Sequence, residues 1–435
     1  MNGTRRQVMA GLAAGLALAP FGTLRAAETP DAARVIHDWY RLVLELVRHT
    51  PTASPPMASR AFAIIGTIAW EALLPAGGRS LSGQLNGLTP PPVRPAGLDD
   101  AAVLHAALSV CVAECFANTG PTGQRATATM TDRLGSRVNG SLAPAVSAAS
   151  AAHGRAVAAH VVAWAATDGG VVITNMGFPE TWRVAEAASD WVPTTLVQLQ
   201  QTPLLPDWGN NRPFAMTDGA VCSLQPPPAY SEEPGSAFHT EAMEVYDITR
   251  ALTPEQRLIA RFWSDDPMLS PTPPGHWIAI AMQILEAQNA PADRRAEVLA
   301  LLGITLADAF IACWRAKFEY DLLRPVTYIR RLIDKTWEPL LITPPFPEYP
   351  SGHSTQSGAA ATVLTALFGE GFAFNDATHV DEGMDARDYP DFWTAAHEAG
   401  RSRLYGGIHF RAGVERGLEQ GACVGQQTLR LRLRA

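Results

Sequence analysis

Apolar residues recur at mixed steps of three and four along most of this chain, and that spacing predicts helices. Residues 31–49 place Ile36, Tyr40, Leu42, Val43, Leu46 and Val47 in the pattern. Residues 99–117 and 142–167 keep similar spacing and are rich in alanine, the strongest intrinsic helix former. Thr253-Pro254-Glu255-Gln256 has the spacing of a capping box with proline at the first helical position, so a helix should run on through Arg261, Phe262 and Trp263. Further helices are expected near 274–289, 305–323, 352–368, 388–403 and 409–428. Alternating patterns are brief, as at Val171-Val172-Ile173-Thr174. Stretches rich in proline and glycine at 50–58, 75–98, 202–236 and 336–352 punctuate the helices. The stretch 202–236 is the best divider, setting an N-terminal helical half (28–235) against a C-terminal helical bundle (236–435). The expected fold class is all-α, two packed bundle-like halves.

The first residues follow a different logic. Thr4-Arg5-Arg6-Gln7-Val8-Met9 precedes a mild apolar run to Phe21, and small residues follow at Ala26-Ala27. A basic start, an apolar middle and a small-residue end predict an export signal over 1–27, of the twin-arginine type. The expected destination is the periplasm or the medium. The run is broken by glycines and Pro20 and is short for a membrane span, so the mature protein is expected to be soluble.

Composition narrows the function classes. Apolar residues make up 47% of the 435 and charged residues 17%, a globular rather than a disordered balance. The net charge of −8 becomes −11 without residues 1–27, which hold Arg5, Arg6, Arg25 and no acid. An acidic chain without a basic stripe argues against nucleic acid as a partner. The five cysteines are scattered and give no zinc-ligand spacing. Cys111 and Cys115 lie one helical turn apart, a geometry that favours two small core residues over a bond.

Three short segments carry candidate chemistry. Lys317 and Arg324 are seven residues apart, which on one helix would place two cations on the same face, and Pro325 is expected to end that helix. Ser351 is a natural N-cap after a proline-rich approach, so Gly352 and His353 should open a helix. Helix starts offer unpaired N–H groups to anions, and glycine admits close approach. A histidine there can move a proton near neutral pH. Arg403 and His409 flank Gly406-Gly407, whose turn can bring a guanidinium and an imidazole to one point. Asp265 and Asp266 are candidate partners for Arg403, since a buried arginine needs one. His239 and His276 read as structural.

The ordered set of these motifs resembles the signature of the vanadium-dependent haloperoxidases and the related acid phosphatases of the type 2 phosphatidic acid phosphatase superfamily. The match runs through Lys317, Arg324-Pro325, Pro350-Ser351-Gly352-His353, Ser402-Arg403 and His409. The resemblance implies a pocket in the C-terminal bundle that takes vanadate, or phosphate in the same place. Lys317, Arg324, Ser351, Gly352 and Arg403 would then hold the oxygens, His409 would bond vanadium, and His353 would be the acid–base residue. The implied substrates are hydrogen peroxide and a halide, oxidised to hypohalous acid, with a small organic acceptor and an oligomer both left open. Phe346 and Trp314 match aromatic positions at the halide pocket of the chloride-oxidising relatives.

One departure stands out. Where the signature has aspartate, four residues after the last histidine, this chain has Gly413. In the phosphatases that aspartate orients the histidine nucleophile. Glu415 would lie on the wrong side of a helix to replace it. His409 is therefore expected to be oriented by a backbone carbonyl, a water or a distant residue, and Gly413→Asp to raise phosphatase activity. Phosphomonoester hydrolysis through a phosphohistidine, and oxyanion binding without turnover, remain the alternatives to halide oxidation.

Overall fold

A computed structural model describes residues 29–171, 175–183, 186–195 and 201–434. The expected export signal lies outside the described residues, as does most of the alternating stretch at 171–174. The N-terminal part contributes α1 (Ala32–His49), α2 (Pro55–Leu73), α3 (Asp100–Cys115), α4 (Pro121–Asn139) and α5 (Pro144–Ala165). After the 202–236 stretch come α6 (Ala237–Arg250), α7 (Pro254–Phe262), α8 (Thr272–Ala287), α9 (Ala292–Tyr320) and α10 (Pro325–Leu332). The chain closes with α11 (Gly352–Phe368), α12 (Phe392–Tyr405) and α13 (Arg411–Thr428). Between α11 and α12, β1 (Phe374–Asp376) pairs antiparallel with β2 (Arg387–Tyr389). The fold is all-α, as the pattern predicts, and the capping box at Thr253 forms with both of its hydrogen bonds.

Five elements differ from expectation: α2, α4, α6 and α10 are not among the helices expected from the pattern, and α9 has other bounds. The periodicity gave no sign of α2, because nearly all its residues from Pro56 to Leu73 are buried and no polar face marks a period. α9 begins at Ala292, well before 305, and ends at Tyr320. Asp321 stops it in a left-handed conformation, with its N–H donating to the Lys317 carbonyl. Pro325 therefore opens α10 instead of ending α9, the first-turn position where its missing N–H costs nothing. Lys317 and Arg324 do not share one helix.

α9 is the axis of the molecule. Among the described residues it is the one helix long and apolar enough to cross a membrane, and the apolar stretch that qualifies is wholly buried within the protein. It packs against α2 at backbone contact distance, since a Cβ on Gly66 would lie 2.7 Å from the Ala300 Cα and one on Gly303 would lie 2.5 Å from the Phe62 carbonyl oxygen. One continuous apolar core joins Trp39, Phe62 and Leu104 to Trp277, Leu302 and Phe392, so residues on both sides of 202–236 share it.

The 202–236 stretch is anchored by a buried carboxylate. Asp308, inside α9, accepts hydrogen bonds from the backbone N–H groups of Phe214, Ala215 and Met216 at 2.6–2.9 Å. Burial pushes its carboxyl up to about 6 against those three donors. Asp308→Ala strands the donors, each costing about 1–3 kcal/mol if left unsatisfied. A urea midpoint lowered by a large fraction of its wild-type value is the expected outcome, and an unchanged midpoint would refute this role. A disulfide between Cys222 and Cys423 ties the same stretch to α13. Cys111 and Cys115 stay unbonded, their sulfurs 3.9 Å apart.

Candidate oxyanion site

The three segments converge below the start of α11. Ser351 caps that helix, its Oγ accepting from the Ser354 N–H, so the cap expected from sequence forms. Gly407, with φ +76°, makes the turn after α12, and the Ile408 N–H returns to the Arg403 carbonyl. His409 follows two residues before α13. Lys317, Arg324 and Arg403 are all buried, which is expensive for three cations in one place unless anions or acceptors answer them.

Part of the answer is the segment 346–350, which wraps the cations with carbonyls. Lys317 Nζ donates to the carbonyls of Pro347, Glu348 and Pro350. An ammonium has three N–H groups, so Lys317 in this arrangement offers a pocket anion its charge and no hydrogen bond. Burial draws its pKa down to about 7. Arg324 donates from Nε to the Phe346 carbonyl and from Nη1 to the Ile408 carbonyl, each at 2.8 Å. Arg403 donates from Nη1 to the Trp263 carbonyl at 2.7 Å.

The remaining donors are unanswered. Arg324 Nη2 and Arg403 Nε are buried without a partner. Arg48 Nε and Arg212 Nε are also buried without a partner, but Arg324 and Arg403 both act on His409, and it is their convergence on one imidazole that marks a place for an anion. Burial lowers the pKa of both guanidinium groups, Arg324 to about 9 and Arg403 to about 10. An added Cβ on Gly352 would make only ordinary contacts with Phe310, Trp314 and Cys313, so packing inside the protein does not require glycine there.

The residue that replaces the missing aspartate is Glu348. Its Oε1 accepts from His409 Nδ1 at 2.7 Å and from the Phe410 N–H at 3.0 Å. This fixes the ring with Nδ1 as donor and Nε2 as acceptor, and Arg324 Nη1 lies 3.1 Å from Nε2. Gly413 is the counterpart of this exchange, because a Cβ there would come within 2.3 Å of Glu348 Oε1. Of the three orienters left open by the sequence, a backbone carbonyl, a water or a distant residue, the structure shows the last, a side chain 61 residues upstream. Burial raises the Glu348 carboxyl to about 7, while Arg324 and Lys317 pull it back. Burial, together with Arg324, Lys317 and Arg403, holds His409 well below the usual histidine range.

His353 sits in the first turn of α11, nearly buried, and its Nε2 has no hydrogen-bond partner. Burial first, and then the charge of Arg403, keep it well below the usual range, so the ring is neutral. The expected aromatic pair also meets: Trp314 and Phe346 have ring centroids 4.9 Å apart, and Lys317 Nζ lies 5.1 Å from the Phe346 centroid. Asp265 is placed differently from expectation. It makes its closest contacts with His276, His379 and His353, because the α7–α8 loop turns its carboxylate toward those rings. Arg403 feels Asp266 and Asp265 only as neighbouring charges.

The chain is all-α, with a buried cationic cradle around two histidines. Residues 297–434 match the family model of the VCPO second helical-bundle domain. A bacterial vanadium-dependent iodoperoxidase superposes with a TM-score of 0.83 at 34% identity, over 93% of this chain and 97% of that one. Holo- and apo-type structures of a bacterial vanadium-dependent chloroperoxidase share the fold, each with a TM-score of 0.64 at 17% identity. They cover 88% and 86% of this chain, and 94% and 95% of their own. No curated protein sequence matches. The chain belongs to the vanadium-dependent haloperoxidase family.

Proposed function

We propose that this protein is a vanadate-dependent haloperoxidase that oxidises halide with hydrogen peroxide to hypohalous acid. The observation that carries the reading is the pair of buried, unpartnered guanidinium nitrogens of Arg324 and Arg403 beside the oriented His409. A tetrahedral oxyanion fits this donor set. Arg324, Arg403, Ser351 and the N–H groups opening α11 would hold its oxygens, Lys317 would add charge, and His409 Nε2 would take the central atom. Bound vanadate supplies an electrophilic centre that activates hydrogen peroxide toward two-electron oxidation of a halide.

The chain's own residues then have definite tasks. His353, whose Nε2 has no hydrogen-bond partner in the protein, would accept a proton from hydrogen peroxide and give it back to the leaving oxygen. Glu348 keeps the His409 lone pair on Nε2. Trp314 and Phe346 form a dry aromatic wall beside the Lys317 ammonium, where a soft anion can settle. Iodide is the first halide to test, since the relative at 34% identity is an iodoperoxidase.

A second reading, phosphomonoester hydrolysis with His409 as nucleophile, gains from Glu348, which supplies the orienting acid that Gly413 had put in doubt. Metal-stripped protein titrated with orthovanadate separates the two. Halide oxidation that rises with vanadate, without p-nitrophenyl phosphate hydrolysis, is expected. Hydrolysis without halide oxidation would make the protein a phosphatase, and neither activity would leave an oxyanion-binding protein. We further propose export by the twin-arginine route to the periplasm or beyond. The Cys222–Cys423 bond supports an oxidising compartment.

A further inference from the structure

Next to His353 lies a second buried polar cluster that halide oxidation does not employ. It joins Asp265 in the α7–α8 loop, His276 in α8, Asp376 in β1, and His379 and Glu382 just beyond. Asp265, His276, Asp376 and His379 are all buried. His276 Nε2 lies 2.8 Å from an Asp376 oxygen, and His379 Nδ1 lies 3.0 Å from a Glu382 oxygen. Each imidazole thus has one nitrogen held by a carboxylate. Both remaining nitrogens turn to the same third carboxylate: His276 Nδ1 is 2.9 Å from Asp265 Oδ1, and His379 Nε2 is 3.3 Å from it.

One proton on His276 Nδ1 would satisfy that contact. It would leave His379 Nε2 as it stands, buried, aimed at a carboxylate oxygen and without a hydrogen bond. A lone pair facing an anion at that distance is repulsive unless a cation lies between them. We propose that Asp265, His276 and His379 bind one divalent cation of the zinc class, with Asp376 and Glu382 orienting the two rings.

Three observations agree with this assignment. The ligand atoms lie within 4.8 Å of one another. Bonds of about 2.0–2.2 Å place adjacent ligands about 3.0–3.5 Å apart, close to the 2.9 and 3.3 Å from Asp265 Oδ1 to the two imidazole nitrogens. Two imidazoles and one carboxylate select zinc over magnesium or calcium, and carboxylates on the outer nitrogens are the usual support of such ligands. Three carboxylates meet two imidazoles, and Arg48 reaches only Glu382, at 3.3 Å. Trp263 stacks on His276 with centroids 4.3 Å apart, further fixing that ring. The cation would staple the α7–α8 loop, α8 and the segment after β1, one side chain away from His353, since Asp265 Oδ2 is 3.8 Å from His353 Nε2. Its existence does not depend on what the oxyanion site turns over.

The test is elemental analysis of the full chain, purified without chelator or metal-affinity resin, followed by zinc titration of stripped protein. One zinc-class equivalent per chain, independent of vanadate, is expected, with a zinc-edge absorption spectrum of nitrogen and oxygen ligands including imidazole. His379→Gln and His379→Ala should each lose that equivalent while keeping the helical circular dichroism and phosphate binding. Wild-type protein that neither carries nor takes up stoichiometric metal would overturn the proposal, leaving a metal-free ion-pair cluster. So would full metal occupancy in a folded His379 variant.

Discussion

Glu348→Gln is expected to weaken orthovanadate binding by about 10–100-fold, the usual penalty for losing the partner that orients a metal-bound histidine. The neutral amide keeps the volume and can still accept the Phe410 N–H, so the segment 346–350 should hold its path on the Lys317 and Arg324 donors. What is lost is the charged acceptor 2.7 Å from His409 Nδ1. Without it the ring can flip or change tautomer, and Nε2 is no longer committed to the pocket. Calorimetric titration of stripped wild-type and variant protein measures this. Equal affinities would mean that Glu348 does not orient His409.

The second large effect concerns the position where the family motif and this chain part. Gly413→Asp is expected to abolish oxyanion binding, because its Cβ would press to within 2.3 Å of Glu348 Oε1 and bring a second carboxylate against the first. The structure reverses the expectation drawn from the motif, in which the same change supplies a missing acid. A double variant distinguishes the accounts. Glu348→Ala removes the obstacle, and aspartate at 413 then has room to take over the orienting role. The double variant should bind vanadate better than either single one. If Gly413→Asp alone matches wild type, the two positions are not alternatives.

The parts of this molecule legible in its sequence are those fixed by local geometry. Ser351 announces a helix start because a cap needs only its own third neighbour. Gly406-Gly407 announces a turn, and the turn brings Arg403 and His409 together. The spacing of Lys317 and Arg324 suggests one shared helix, whereas the two cations stand on either side of a helix break. A left-handed Asp321 cannot be foreseen from a sequence that continues to look helical, whereas Pro325 suits a helix start as well as a stop.

Contacts made by the fold were not legible. Glu348 stands 61 residues from His409, and its segment reads as a proline-rich loop. The Cys222–Cys423 bond spans 201 residues. Asp308 looks like an interruption in an apolar helix, and becomes an anchor only once residues 214–216 lie across it. α2 escaped because burial on all sides erases the periodicity that marks a surface helix. His276 reads as structural, and it lies at the centre of the second polar cluster, whose partners Asp265 and Asp376 are 11 and 100 residues away.

The central claim is that His409 Nε2 faces an oxyanion cradle as its ligand atom. Equilibrium binding of orthovanadate to metal-stripped wild-type protein and to His409→Ala tests it most directly. The account predicts saturable stoichiometric binding by wild type and none by the variant at the same concentrations, with unchanged helical content. Tight binding retained by His409→Ala would contradict it.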